Sequence, residues 1–138
     1  MTTLPDKQYL RLLDANFNRS REGLRVCEDL CRFVIADRAS ASKLRTVRHR
    51  ITEILKSLPI DKFLSSRNVK DDFGKHFDGP SKHRDGYRDL YLANLQRSKE
   101  SLRVLEETMK VTFPSKAKYF KKLRFDLYEH EKRATHKF

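Results

Sequence analysis

The sequence predicts an all-α protein, a four-helix bundle made of two pseudo-symmetric helical hairpins. Three observations carry that prediction. Four Gly and four Pro in 138 residues leave long stretches without a breaker. Apolar and small residues recur at helical spacing: Gly23, Val26, Cys27, Leu30 and Val34 share one face at roughly 100° per residue. The chain also repeats itself. Residues 15–28 align with 93–106 at an offset of 78, with nine identities in fourteen positions.

The first helix runs from about Asp6 to Ala36. The second follows Ser40, read as its N-cap, and reaches about Ser57 before Pro59. The third starts near Asp85 and runs to about Thr112. The fourth follows Phe113-Pro114, with Ser115 as N-cap and Lys116 opening the first turn. The polar stretch 65–84 lacks periodicity and reads as a long loop, either functional or a linker. One domain over 1–138 results, with a hairpin repeat at 6–57, the loop, and a second hairpin at 85–134.

The second helices match as well. "VRHRI" (47–51) lies over "LRFDL" (123–127) at an offset of 76, which pairs Arg48 with Arg124. Each hairpin has an apolar face that it cannot bury alone, so the two pack on each other. Phe17 and Leu24, with Leu95 and Leu102, form a second apolar strip. That strip implies either a homodimer or helices one and three at the centre of the bundle.

Lys and Arg number 31 against 19 Asp and Glu, a net charge of +12. Such an excess points to anionic partners: nucleic acid, an acidic membrane surface or phosphorylated small molecules. No apolar run approaches the roughly 18 residues of a membrane span. The start, "MTTLPDKQYL", is too polar for a signal peptide. Cys27 and Cys31 make no disulfide framework and read as core thiols, so the expected location is cytoplasmic. No Walker-type loop, Gly-x-Gly-x-x-Gly kinase loop or Ser/His/Asp set is present.

The chemistry-bearing signal is a doubled polar cluster. Asn16, Arg19 and Ser20 fall on the core-facing stripe of helix one, and Asn94, Arg97 and Ser98 repeat them on helix three. Polar groups on such a stripe cost free energy unless they are partnered. The two clusters are expected to converge on an anion between the hairpins, with Arg48 and Arg124 at its edge and His49 beside Arg48. The plainer reading has Arg19 and Arg97 pairing with Glu22 and Glu100. The doublets Glu28-Asp29 and Glu106-Glu107 lean away from this face and read as solvated or interfacial. In the loop, Asp71 and Asp72 beside Gly74 are the metal candidates, and Arg67, Lys70 and Lys75 could follow phosphates. The plainer reading of the loop is a solvated charged linker.

The segments "LLDANFNRSREGLRVCEDLCRFV" (12–34), "VRHRI" (47–51), "SSRNVKDDFGK" (65–75), "ANLQRSKESLRVLEE" (93–107) and "LRFDLYEHEK" (123–132) resemble one family. It is the small monofunctional hydroxymethylpyrimidine phosphate kinases of thiamin biosynthesis, which occur alone or fused to thiamin phosphate synthase. In the loop, Arg67-Asn68 and Asp72-Phe73-Gly74 stand where the family has Arg-Asp and Asp-Val-Gly. Nothing follows Phe138, so the expected form is the standalone one.

The resemblance implies ATP-dependent phosphorylation of hydroxymethylpyrimidine monophosphate to the diphosphate, with Mg²⁺ as cofactor and ATP as co-substrate. The residue roles come from the residues themselves. Arg19, Arg97, Arg48 and Arg124 neutralise the reacting phosphates. Asn16, Ser20, Asn94, Ser98, His49, Arg67, Lys70 and Lys75 bind substrate or nucleotide, and Asp71 and Asp72 hold the metal. A phosphate acceptor has a second pKa of about 6, so it needs no general base, and the free alcohol is expected to be a poor substrate. The rival expectation is a basic four-helix nucleic-acid-binding protein without catalysis.

Overall fold

The computed structural model describes residues 4–77 and 82–138 and is all-α, with no strand among them. Helix α1 spans Lys7–Asp29, capped by Asp6, whose side chain accepts from the Tyr9 N–H at 3.0 Å. It continues into a π-helical turn, Leu30–Val34, so the run to about Ala36 holds nearly to its end. Helix α2 spans Arg38–Lys56. Its cap is Asp37 rather than Ser40: the Asp37 carboxylate accepts from the Ser40 N–H at 3.3 Å and from the Ser40 hydroxyl at 2.8 Å.

A short helix, α3, spans Ile60–Ser66 and occupies sequence expected to hold no helix. Pro59 ends α2 but also opens α3, because its fixed φ suits a helix start. The expected loop 65–84 therefore begins after Ser66 and contains a 3₁₀ turn at Phe73–His76. Its residues 78–81 lie outside the described residues. Helix α4 spans Tyr87–Thr112 and follows Gly86, whose φ of 92° is open to glycine and strained for other residues. Ser115 does not cap the last helix. Pro114–Lys116 form a 3₁₀ turn that leads into α5, Ala117–Ala134.

Helices α1 and α4 are central and pack most extensively on each other, with α2 and α3 on α1 and α5 on α4. Two contacts set their direction. The Cys27 thiol donates to the Tyr91 carbonyl at 3.4 Å, and the Ser98 hydroxyl donates to the Ser20 carbonyl at 3.2 Å. As one number rises the other falls, so the pair is antiparallel. Phe17, Leu24, Leu95 and Leu102 are all buried inside the chain. The second apolar strip is thus used within one chain, by helices at the centre of the bundle. Phe17 stacks on Phe63 of α3 with ring centroids 6.1 Å apart and meets Phe120 of α5 edge-on at 5.7 Å. Each such ring contributes roughly 1.5–3 kcal/mol by burial. Val34, placed on the core face by periodicity, is exposed because the π turn rotates it outward.

Candidate functional site

The seam between α1 and α4 positions the doubled cluster. Ser20 and Ser98 are repeat mates, and each touches the other helix at the crossing. Both are buried, and the Ser20 hydroxyl is spent on the Phe17 carbonyl at 3.0 Å. Both serines, expected to bind substrate, are enclosed in the crossing and line neither the groove beside Arg19 and Arg97 nor the pocket beside the loop. Gly23 makes the approach feasible: a Cβ there would lie 2.4 Å from the Ser98 hydroxyl oxygen and 2.8 Å from the Asn94 carbonyl oxygen.

One position earlier, Arg19 and Arg97 emerge from the seam together. Both are solvent-exposed, not core-facing, and with Asn16, Glu100, Ser101 and Val104 they line a groove of about 320 Å³. Asn16 is buried and donates to the Leu12 carbonyl at 2.9 Å. Asn94 makes the mirror bond to the Leu90 carbonyl at 2.9 Å. Because α1 and α4 are antiparallel, Asn16 and Asn94 lie on opposite sides of the crossing, roughly 12 Å apart along the seam. The two arginines converge; the two asparagines do not.

A pocket of about 550 Å³, between α1 and the loop, shares Asn16 and Arg19 with the groove and adds Arg11, Asp14, Asn18, Arg67, Asn68 and Asp72. Arg67 pins the loop to α1 through two bonds to Asp14, at 2.8 and 2.7 Å. These bonds to Asp14 hold the Arg67 guanidinium above its ordinary pKa. Arg11 adds a bond to the Asn68 carbonyl at 3.3 Å. The start of the loop, residues 67–68, is therefore docked on α1.

The remaining loop candidates divide. Asp72 lines the pocket; one of its carboxylate oxygens accepts from the Gly74 N–H at 3.0 Å, and among the described residues the other has no partner. Asp71 turns away and accepts from Asn68 at 2.8 Å. Lys75 is spent on the carbonyls of Val69 and Lys70, at 3.1 and 2.9 Å, and Lys70 contributes its backbone. Among the described residues no three His, Cys, Asp or Glu side chains come together as a metal cluster. Mg²⁺ usually takes only one or two carboxylates alongside substrate phosphates and water. Asp72 fits that pattern, and Asp71 does not.

Arg48 and Arg124 are placed elsewhere. Arg48 bonds Glu28 at 2.8 and 3.4 Å, and Arg124 bonds Glu106 at 3.2 and 3.0 Å. Both glutamates are buried, so the doublets are not simply solvated. Each pair ties the two helices of one hairpin, and the pairs repeat each other across the pseudo-symmetry. Burial draws the Arg124 pKa down, but its bonds to Tyr128 and Glu106 outweigh that and hold it above the ordinary value. His49 is exposed on α2 and lines neither the groove nor the pocket. The thiols behave as expected: both are buried, and desolvation raises the Cys27 pKa and pushes that of Cys31 up to about 11.

Sequence reasoning missed Asp14, Arg11 and Asn18. Asp14 carried a signal, being a carboxylate one turn before Asn18 on the face that carries Arg11. Its partner, Arg67, lies 53 residues away, beyond any local pattern.

Comparisons with known proteins add a family. The family model described as ThiD2 family matches residues 11–133. The chain is 37% identical over 119 residues to a thiamine-phosphate synthase of Synechocystis sp., covering 86% of this chain and 34% of that protein. Over 127 residues it is 35% identical to a thiamine-phosphate synthase of Synechococcus sp., covering 91% of this chain and 35% of that one. A thiamine-phosphate synthase of Prochlorococcus marinus is 30% identical over 132 residues, covering 95% and 37%. The chain thus spans little more than a third of the length of these curated relatives. No solved structure gives a significant match. Among the described residues no helix is long and apolar enough to cross a membrane.

Proposed function

The chain belongs to the ThiD2 family, and on that premise we propose that it acts in thiamin biosynthesis as a kinase. It transfers the γ-phosphoryl group of ATP to hydroxymethylpyrimidine monophosphate and yields the diphosphate. The observation that carries the reading is that the Arg19–Arg97 groove and the pocket beside the docked Arg67–Asp72 segment share Asn16 and Arg19.

The chemistry asks little of the protein beyond placement and charge. The bond from the γ-phosphorus to the bridging oxygen of ADP breaks. A new bond forms from that phosphorus to an oxygen of the pyrimidine phosphate. That oxygen is already largely ionised near pH 7, since its second pKa is about 6, so no proton has to be removed. Two polyanions must still meet. Arg19 and Arg97, exposed and adjacent, hold phosphate oxygens, each charge-assisted bond contributing roughly 1.5–3 kcal/mol. Asn16 offers its carboxamide from the floor. Asp72 would hold Mg²⁺, which would supply further charge neutralisation. Asp14 and Arg67 keep the loop in place, so their role is positioning.

The rival reading, a nucleic-acid-binding bundle without catalysis, is not favoured. The family match supports small-molecule metabolism, and several prominent arginines are committed to pairs inside the chain. Incubating the protein with Mg²⁺, ATP and the pyrimidine monophosphate, and following phosphorus NMR, tests the proposal. Growth of a pyrophosphoryl signal is expected; none at high protein concentration would overturn it.

A further inference from the structure

A second basic concavity lies at the other end of α1, where the chain turns into α2. Its volume is about 470 Å³, and Arg32, Arg38, Arg45, Ser42 and Glu28 line it. Glu28, the carboxylate that lines the hollow, is already bound by Arg48 at 2.8 Å. Among the described residues none of Arg32, Arg38 and Arg45 has a carboxylate partner. Three uncompensated guanidinium groups around one hollow repel one another, and an anion between them relieves that cost.

The hollow is built by irregular backbone. The π turn at Leu30–Val34 closes with the Ile35 N–H donating to the Leu30 carbonyl at 3.2 Å, and Ala36 then takes a φ of 50°. A non-glycine residue seldom adopts that conformation, and π turns are enriched at functional sites. The other repeat lacks the arrangement. The mate of Arg32 is Lys110, which pairs with Glu107 at 2.9 Å, and Arg38 and Arg45 correspond to Pro114 and Lys121. The feature belongs to the first hairpin alone, so duplication does not account for it.

We propose that this hollow is a second anion site, taking a di- or polyphosphate group of a small molecule. Asn16 and Glu28 are twelve residues apart on α1, about 18 Å of helix. Reacting groups must come within about 3–3.5 Å, so this site is not the donor side of the groove. It binds its ligand for another purpose and stands independently of the kinase reading.

The test is an amide NMR titration of the whole chain with pyrophosphate in about 0.15 M salt, where loose surface attraction is screened. Saturable shifts at Ala36, Arg38, Ala41, Ser42 and Arg45 are expected. The variants Arg38→Gln and Arg45→Gln keep the side-chain stems and should each weaken this binding about tenfold or more. Arg19→Ala should leave it unchanged. Shifts confined to residues around Asn16 and Arg19, or shifts at the hollow that persist unweakened in the Arg38→Gln/Arg45→Gln double variant, would overturn the assignment.

Discussion

The Ser98 hydroxyl donates to the Ser20 carbonyl at 3.2 Å, and these two residues are repeat mates 78 positions apart. A residue meets its own mate only beside a two-fold axis, so the pseudo-symmetry axis crosses the α1–α4 seam there. Arg19 and Arg97 flank that axis, which is why a duplicated residue delivers two guanidinium groups to one groove.

The tightness of the crossing has a stability consequence. Gly23→Ala would gain up to about 1 kcal/mol in helix propensity. The new Cβ would meet the Asn94 carbonyl oxygen at 2.8 Å, a backbone atom that cannot rotate away. A net loss of about 1–3 kcal/mol in urea unfolding is expected from overpacking. A neutral or stabilised variant would show that the seam yields.

The buried pair Arg48–Glu28 separates a structural role from a catalytic one. Arg48→Met leaves the buried Glu28 carboxylate with only the looser pairing to Arg25 at 3.9 Å and should cost about 3 kcal/mol. Adding Glu28→Gln removes the stranded charge and should recover part of that loss. If Arg48→Met instead leaves stability intact and abolishes activity, Arg48 belongs to the reaction after all.

His130 gives the fold a pH dependence. It is buried, and desolvation, reinforced by Arg133, lowers its pKa from 6.5 to about 4. Above 6.5 neither the folded nor the unfolded chain protonates it. As pH falls from 6.5 to about 4, only the unfolded chain takes the proton, so stability drops, by up to about 3 kcal/mol. A second decline follows as pH falls from 3.8 toward about 2, where Asp37 loses its hydrogen bonds from Lys137 and Ser40. Unfolding free energies measured from pH 8 to 3 should show the first decline in the wild type and a flatter profile over that window in His130→Gln.

The free alcohol should be a poor substrate. No histidine lines the groove, Arg67 occupies both Asp14 oxygens, and Gln96 donates to Glu100 at 3.1 Å. Asp72 is the carboxylate assigned to the metal in this reading, so no group is left to deprotonate the alcohol, and the protein forgoes the roughly 10²–10⁴-fold that a general base contributes. Comparing kcat/KM for the alcohol and its phosphate should show a gap of that order. Equal values would point to an unrecognised base.

The helices, the repeat and the bundle were legible because periodicity and duplication are local signals. Helix α3 was not, because Pro59 is locally a stop signal for α2 and the seven residues after it are too few for helical periodicity to stand out. Helical projection put Asn16, Arg19 and Ser20 on one face. In central helices buried on several sides, though, neighbours on that face separate: Ser20 enters the crossing, Asn16 sits beneath the groove, and Arg19 stands at its lip. The partners of Glu28, Glu106 and Asp14 lie 20, 18 and 53 residues away, so only the fold could reveal them. Nothing in Lys75 itself indicates that it would satisfy carbonyls of its own loop.

The central claim is that the Arg19–Arg97 groove performs the phosphoryl transfer. It is tested most directly by the kcat/KM of the Arg19→Ala/Arg97→Ala variant with ATP and the pyrimidine monophosphate, beside its unfolding free energy. Both side chains are exposed, so stability should change by less than about 0.5 kcal/mol. Losing two charge-assisted phosphate contacts should cut kcat/KM by about 10²-fold or more. A folded double variant that turns over at the wild-type rate would contradict the account.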